Sequence, residues 1–262
     1  MPLLIIELIV LGLVAGVASG MFGIGGGVII VPILILLLGF DQLAASGTSL
    51  VALLAPVSIF AVLAYYRAGK LNLKIALWMA AGLWVGGYLG GLIANNLPSD
   101  DLRRAYGVFL LFVAWRFAEP VKWWAELRGE TVTKTPEDSK GNSDPSLLIM
   151  IGIGALAGVL AGLFGIGGGV IIVPALVALV KFDHKRAVAT SLAALLPPNI
   201  PAILPYIQSG KLDVGAGLLV ALGLVGGAFI GARIALGLPS QTIKRLYAVF
   251  LIFISIRFIF FG

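Results

Sequence analysis

The residues of this chain whose types and spacing could do chemistry are glycines. The stretch Gly20-Met-Phe-Gly-Ile-Gly-Gly-Gly-Val-Ile-Ile-Val-Pro32 recurs as Gly162-Leu-Phe-Gly-Ile-Gly-Gly-Gly-Val-Ile-Ile-Val-Pro174, with one change, Met21 to Leu163. Each glycine costs a helix about 1 kcal/mol relative to alanine, so each cluster predicts a helix, a break and a new helix. A half-helix that begins at Gly27 or Gly169 presents unpaired backbone N–H groups and the positive end of its dipole. The ligand suited to such an end is an anion, and a glycine lets it approach without meeting a Cβ. The candidate binding residues are therefore Gly23, Gly25, Gly26 and Gly27 in the first copy and Gly165, Gly167, Gly168 and Gly169 in the second. The competing reading is close helix packing through small residues, which suits Gly12-Leu-Val-Ala-Gly16 and Gly82-Leu-Trp-Val-Gly86 better.

Hydroxyls and prolines follow each cluster: Ser46, Thr48, Ser49 and Pro56, then Thr190, Ser191, Pro197, Pro198, Asn199, Pro201 and Pro205. Prolines free carbonyls and kink helices, while hydroxyls and the Asn199 amide donate to oxyanions. Thr48, Ser49, Thr190, Ser191 and Asn199 join the candidate set. A Ser or Thr inside a membrane helix is usually satisfied by its own helix, so the argument rests on their recurrence in both copies. Asn199 has no amide counterpart, since Val57 holds that position. The carboxylates Glu7, Asp41, Asp183 and Asp213 lie near segment ends and read as interface or helix-cap groups. Arg233 is placed to snorkel to an interface, and His184 sits in a basic loop with Lys185 and Arg186. A cation carrier would want carboxylates at mid-membrane, and the sequence places none there.

Those residues are positioned by an apolar chain. Of 262 residues 60% are hydrophobic and 11% charged, with a mean hydropathy of +1.09. The expected class is an all-α polytopic membrane protein. With no Cys and one His, thiolate chemistry, disulfides and Cys- or His-rich metal sites are excluded, and neither a metal nor a cofactor is expected. The formal net charge of +6 comes from residues scattered through short loops, which points to topology signals and away from a nucleic-acid partner. The apolar opening resembles a secretory leader but lacks a basic start. Because the internal segment from Leu147 has the same character, the first segment is expected to stay in the mature protein.

About five apolar segments fill each half: 3–20, 26–38, 42–66, 71–96 and 102–118, then 146–161, 167–180, 186–207, 213–237 and 241–261. At an offset of 142, Asp41 meets Asp183, Thr48-Ser49 meets Thr190-Ser191 and Pro56 meets Pro198. One residue shorter, Tyr65 meets Tyr206, Gly69-Lys70 meets Gly210-Lys211, Pro98 meets Pro239 and Arg116-Phe117 meets Arg257-Phe258. The chain is thus a tandem duplication, 1–118 and 146–262, joined by a charged linker at 119–145.

The second segment of each half, such as 28–38, reaches only about 17 Å against roughly 30 Å of hydrocarbon, so it cannot span alone. The first two segments form either a hairpin of short helices, which gives inverted halves, or one broken spanning helix, which gives parallel halves. Loop charges favour the inverted arrangement. It gathers Arg67, Lys70, Lys74, Lys181, Lys185, Arg186, Lys244 and Arg245 on one side against Arg103, Arg104, Lys211 and Arg257 on the other. The linker is then expected in the cytoplasm and both termini outside.

The duplicated Gly-x-x-Gly-Ile-Gly-Gly-Gly-x-x-x-x-Pro element, the Thr-Ser after it, the Tyr-x-x-x-Gly-Lys loop and the glycine-rich fourth segment resemble the TauE/SafE family of sulfite and organosulfonate exporters. The resemblance covers nearly the whole chain outside the linker. It implies an inner-membrane carrier of sulfur oxyanions such as sulfite, thiosulfate or sulfoacetate. The expected function is a secondary transporter, not an enzyme, exporting a small sulfur-containing anion from a site between the halves. With a negative interior, each charge moved outward gains about 2.3 kcal/mol per 100 mV. The expected partners are that anion and lipid; a homodimer stays open. The alternatives are carriage of another solute or a metal ion, a non-transporting scaffold, and an intramembrane enzyme, the last with little chemistry to use.

Overall fold

The fold is seen in a computed structural model, which describes residues 2–22, 25–54, 71–118, 146–182, 184–197, 200–235 and 240–260, with Ile59, Val62 and Tyr66 among 55–70. The linker at 119–145 lies outside the described residues. The described helices are α1 (Pro2–Phe22), α2 (Gly27–Leu38), α3 (Gln42–Ala52), α4 (Leu73–Asn96), α5 (Ser99–Ala118), α6 (Leu147–Phe164), α7 (Gly169–Leu179), α8 (His184–Ala194), α9 (Ile200–Gln208), α10 (Val214–Ala235) and α11 (Ser240–Phe260). The described residues contain no strand. Helices α4 and α6 and the span Val214–Gly231 within α10 are each long and apolar enough to cross a membrane.

Both glycine clusters interrupt the helix where the sequence places the break, between Phe22 and Gly27 and between Phe164 and Gly169. The chain then doubles back. A Cβ at Gly26 would lie 3.7 Å from the Ala15 Cβ, and one at Gly168 would lie 3.4 Å from the Ala157 carbonyl oxygen, both well before their helices end. The third segment differs from expectation in the second half, where one kinked helix over 186–207 is replaced by two, α8 and α9. Pro197 follows the end of α8; without an N–H group it cannot continue the ladder, and a kink becomes a full break.

The most extensive interfaces join the halves crosswise, α1 to α10 and α6 to α4. Gly12 and Gly16 face the backbone of Val220 and Leu224, while Gly223, Gly227 and Gly231 face the backbone of Ile9, Leu13 and Val17. The second pair repeats this. Gly154, Gly158 and Gly162 face Met79, Leu83 and Gly87, and Gly82, Gly86 and Gly90 face Ile151, Ala155 and Val159. Because residue numbers rise together in both pairs, each pair runs parallel. In lipid no hydrophobic effect drives helices together, so close backbone approach and dispersion must do it, which only small residues permit. The packing reading of Gly12, Gly16, Gly82 and Gly86 therefore holds, and it spans the two halves.

Helix α5 packs against α11. The Ser255 hydroxyl donates to the Gly107 carbonyl at 2.6 Å, inside protein. Tyr106 packs against Phe258 and Phe164, with ring centroids 6.0 and 5.3 Å away.

Polarity is arranged for a bilayer. Ser46, Thr48, Ser49, Thr190, Ser191 and Ser255 are buried, whereas Ile6, Val10, Val85, Leu222, Phe229 and Phe253 are exposed. Water would oppose this distribution, and hydrocarbon matches it. Near the ends, Asp41 accepts from the Ala44 N–H at 2.7 Å and Asp213 from the Ala216 N–H at 2.8 Å, so both cap helices as the sequence suggested.

Candidate anion site

The two glycine clusters meet. A Cβ on Gly27 would overlap the Gly165 carbonyl oxygen and stand 2.6 Å from the Ile166 Cα, and one on Gly25 would be 3.4 Å from the Ile166 carbonyl oxygen. No side chain fits between these backbones. Gly165 adopts φ +73° and lies against Ser46, whose carbonyl oxygen would stand 2.5 Å from a Cβ. That conformation costs an L residue about 1–2 kcal/mol even where space exists. Gly167 reaches the far end of α3, beside Leu53.

The half-helix ends are buried and lack side-chain caps. Gly26 caps α2 with φ −68° and ψ −17°, and Gly168 caps α7 with φ 77° and ψ −22°; being glycines, neither cap offers a side-chain acceptor to the N–H groups of the first turn. The repeats thus share a sequence here but differ in backbone, and only Gly168 requires positive φ. Gly26, Gly27, Gly168 and Gly169 are all buried. A buried helix N-terminus without a cap leaves donors that a ligand or water must satisfy.

The candidate hydroxyls divide into two groups. Ser49 donates to the Gly165 carbonyl oxygen at 2.8 Å, joining α3 of the first half to the break of the second. Its proton is engaged, so toward a ligand it offers lone pairs. By contrast, Thr48 Oγ1, Thr190 Oγ1 and Ser191 Oγ are buried without a hydrogen-bond partner. An unsatisfied buried hydroxyl costs about 1–3 kcal/mol, which a bound oxyanion or water would recover. Thr190 and Ser191 lie on α8, which packs against α4 and α7. Gly23 and Asn199 lie outside the described residues. The structure thus gathers Gly25, Gly27, Gly165, Gly167 and Ser49 at one junction.

Sequence reasoning missed two polar residues beside this junction. Tyr206 entered only as a repeat match, yet its hydroxyl is buried and donates to the Gly162 carbonyl oxygen at 2.5 Å, satisfying a free carbonyl at the end of α6. Its ring fills the space that Gly47 leaves. Gln42 is also buried and donates from Nε2 to Ser46 Oγ at 3.1 Å. The available signal was spacing, because Gln42, Ser46 and Ser49 stand at i, i+4 and i+7 on one face of α3.

Replacing Ser49 by alanine orphans the Gly165 carbonyl and is expected to lower stability by about 1 kcal/mol. Thermal unfolding in detergent measures the loss, and Ser255→Ala, which removes an added bond from a Gly107 carbonyl already engaged within α5, gives a milder comparison.

A duplicated bundle of helices with exposed apolar sides and two buried glycine breaks defines a polytopic membrane protein. The chain belongs to the Sulfite exporter TauE/SafE family, whose profile matches residues 8–258. It is 29% identical to the probable membrane transporter protein YunE of Bacillus subtilis, over 97% of each chain. It is 30% identical to a probable membrane transporter protein of Sinorhizobium sp, over 95% of this chain and 90% of the relative. A probable membrane transporter protein of Methanocaldococcus jannaschii is 28% identical over 88% and 86%. No solved structure matches the chain.

Proposed function

We propose that the protein is a secondary carrier of a small sulfur-containing anion such as sulfite, thiosulfate or an organosulfonate, working in the direction of export from the cytoplasm. The observation that carries this reading is the pair of buried, side-chain-uncapped half-helix ends, in a protein whose buried Thr48, Thr190 and Ser191 hydroxyls lack partners. Backbone N–H groups and hydroxyls bind a tetrahedral or pyramidal oxyanion without placing a fixed positive charge in the membrane. Gly23, Gly25 to Gly27, Gly165, Gly167 to Gly169, Thr48, Ser49, Thr190, Ser191 and Asn199 form the proposed lining.

The halves are proposed to be inverted repeats in the inner membrane, with the linker cytoplasmic and both termini outside. Two features support this. The chain doubles back at each break, as a hairpin requires, and the loop charges gather more Lys and Arg on the side assigned to the linker. Hairpins that leave each half an odd number of crossings relate the halves by an axis lying in the membrane plane.

The scaffold reading draws on Gly27 and Gly165, which do serve packing. Gly26 separates the two readings, because its φ is ordinary and a Cβ would crowd only movable side-chain ends, Leu224 Cδ1 at 2.6 Å and Ile30 Cδ1 at 3.2 Å, with the Ala15 Cβ at an ordinary 3.7 Å. In proteoliposomes under an imposed membrane potential, the wild type is expected to move labelled sulfite or thiosulfate in preference to sulfate. Gly26→Ala should keep the fold and lose at least tenfold in rate. No wild-type flux of any sulfur anion from folded protein overturns the proposal. Gly168 is a poorer probe, since its φ of 77° strains any replacement.

A further inference from the structure

We infer that α3 is a gate over the second glycine break, latched outside by the ion pair of Asp41 with Lys211 and inside by the hydrogen bond of Ser49, and that its release exposes the anion site. The inference rests on the carrier reading above. Although α3 belongs to the first half, it packs against α6, α9 and α10 of the second. On its buried side Ser49 donates to the Gly165 carbonyl oxygen at 2.8 Å. At its outer end Asp41 caps the helix and pairs across the halves with Lys211, Oδ2 to Nζ at 3.3 Å, both side chains partly exposed. A partly exposed pair contributes little to stability, which suits a contact that breaks in every cycle.

What marks these contacts as a latch is that the repeat keeps the residues and not the contacts. Asp41 is matched by Asp183, Ser49 by Ser191 and Lys211 by Lys70. A fixed strut encoded in both copies would be made in both. Yet Ser191 is buried without a hydrogen-bond partner. Helix α8, the counterpart of α3, packs against α4 and α7, and among the described residues it makes no comparable contact with α1, the counterpart of α6. The breaks themselves differ, with φ 77° at Gly168 and φ −68° at Gly26. A buried hydroxyl is costly to leave unpaired, so its retention is explained by a second arrangement in which Ser191 finds the matching carbonyl of the first break. In that arrangement α8 has closed on the first break and α3 has left the second. The same types of residue are then satisfied in each arrangement, which keeps the two close in energy, as alternating access to one site requires.

A water-soluble carbodiimide tests the latch in the intact protein, because it joins a carboxylate directly to an amine only where the two are in contact. In proteoliposomes, peptide mass spectrometry is expected to find Asp41 joined to Lys211, and the joined molecules should lose flux of labelled sulfite or thiosulfate about tenfold or more. Lys211→Arg keeps the charge but offers no amine to the reagent, so its flux after treatment should stay within about twofold of its untreated value. Ser49→Ala should slow the joining about fivefold, the shift that one hydroxyl bond gives a two-state ratio, and adding Ser191→Ala should bring the rate back toward the wild type. A strut allows no such rescue, since Ser191 has no bond to lose in the arrangement described. Absence of the joined pair, undiminished flux in joined molecules, or a double variant as slow as Ser49→Ala overturns the gate and leaves the carrier standing. Where Ser49→Ala does not fold, the flux of the joined wild type decides. No flux of either anion by the untreated wild type overturns the carrier reading, and the gate with it.

Discussion

Replacing Gly86 by leucine is expected to leave almost no folded protein in the membrane, while replacing Gly152 by alanine is expected to leave the yield unchanged or higher. At Gly86 a Cβ would run into the Ala155 carbonyl and stand 2.9 Å from the Val159 nitrogen. Backbone cannot move aside as a side chain can, so α4 and α6 would separate along their contact. Overpacking costs about 1–3 kcal/mol where a core can adjust, and this site adjusts least because both surfaces are main chain. The loss would extend beyond one helix pair, since α6 belongs to the second half and α4 to the first. Gly152, on the same helix α6, is exposed, and a Cβ there would meet nothing within 4 Å. Alanine there gains about 1 kcal/mol of helix propensity. Size-exclusion profiles and unfolding temperatures in detergent compare the two variants, and equal behaviour would refute the interface.

The second large effect is expected at Gly165, where alanine is predicted to destabilise by about 3 kcal/mol or more. Positive φ contributes about 1–2 kcal/mol of this. The remainder comes from the approach of the new Cβ to the Ser46 carbonyl oxygen, 2.5 Å away, and to its Cα at 2.7 Å. Relieving that contact moves α3 away from the break and lengthens the hydrogen bond from Ser49. Gly165→Ala and Ser49→Ala should therefore be less than additive, because the first substitution already removes much of what the second deletes. A double-mutant cycle on unfolding free energies measures this coupling. Full additivity would mean that Ser49 and Gly165 act independently.

Much of this architecture was legible in the sequence. Composition alone pointed to a membrane protein, because an apolar surface of this extent has no other solvent. The offset of 142 revealed the duplication, and the paired clusters placed both breaks, since glycine's backbone freedom acts locally wherever the residue stands. Asp41 and Asp213 were readable as caps for the same reason, each bonding an N–H three residues away.

What the sequence did not contain was which surfaces meet. Gly12, Gly27, Gly86 and Gly165 are alike in a string of letters, yet tertiary packing makes Gly12 and Gly86 part of the helix faces and Gly27 and Gly165 the crossing of the breaks. It also divides residues that the repeat equates. Gly168 takes φ 77° where Gly26 keeps φ −68°, and Ser49 is bonded where Ser191 has no partner. Tyr206 became visible only when α9 was brought against the end of α6, because its hydroxyl declares its role through a carbonyl distant in sequence. Sequence by itself determined the solvent, the duplication and the positions of the breaks, all consequences of composition and local backbone preference. Tertiary structure alone decided that each half's first helix packs on the other half's α4 or α10, and that the two breaks touch, because backbone-to-backbone contact depends on shape over the whole chain.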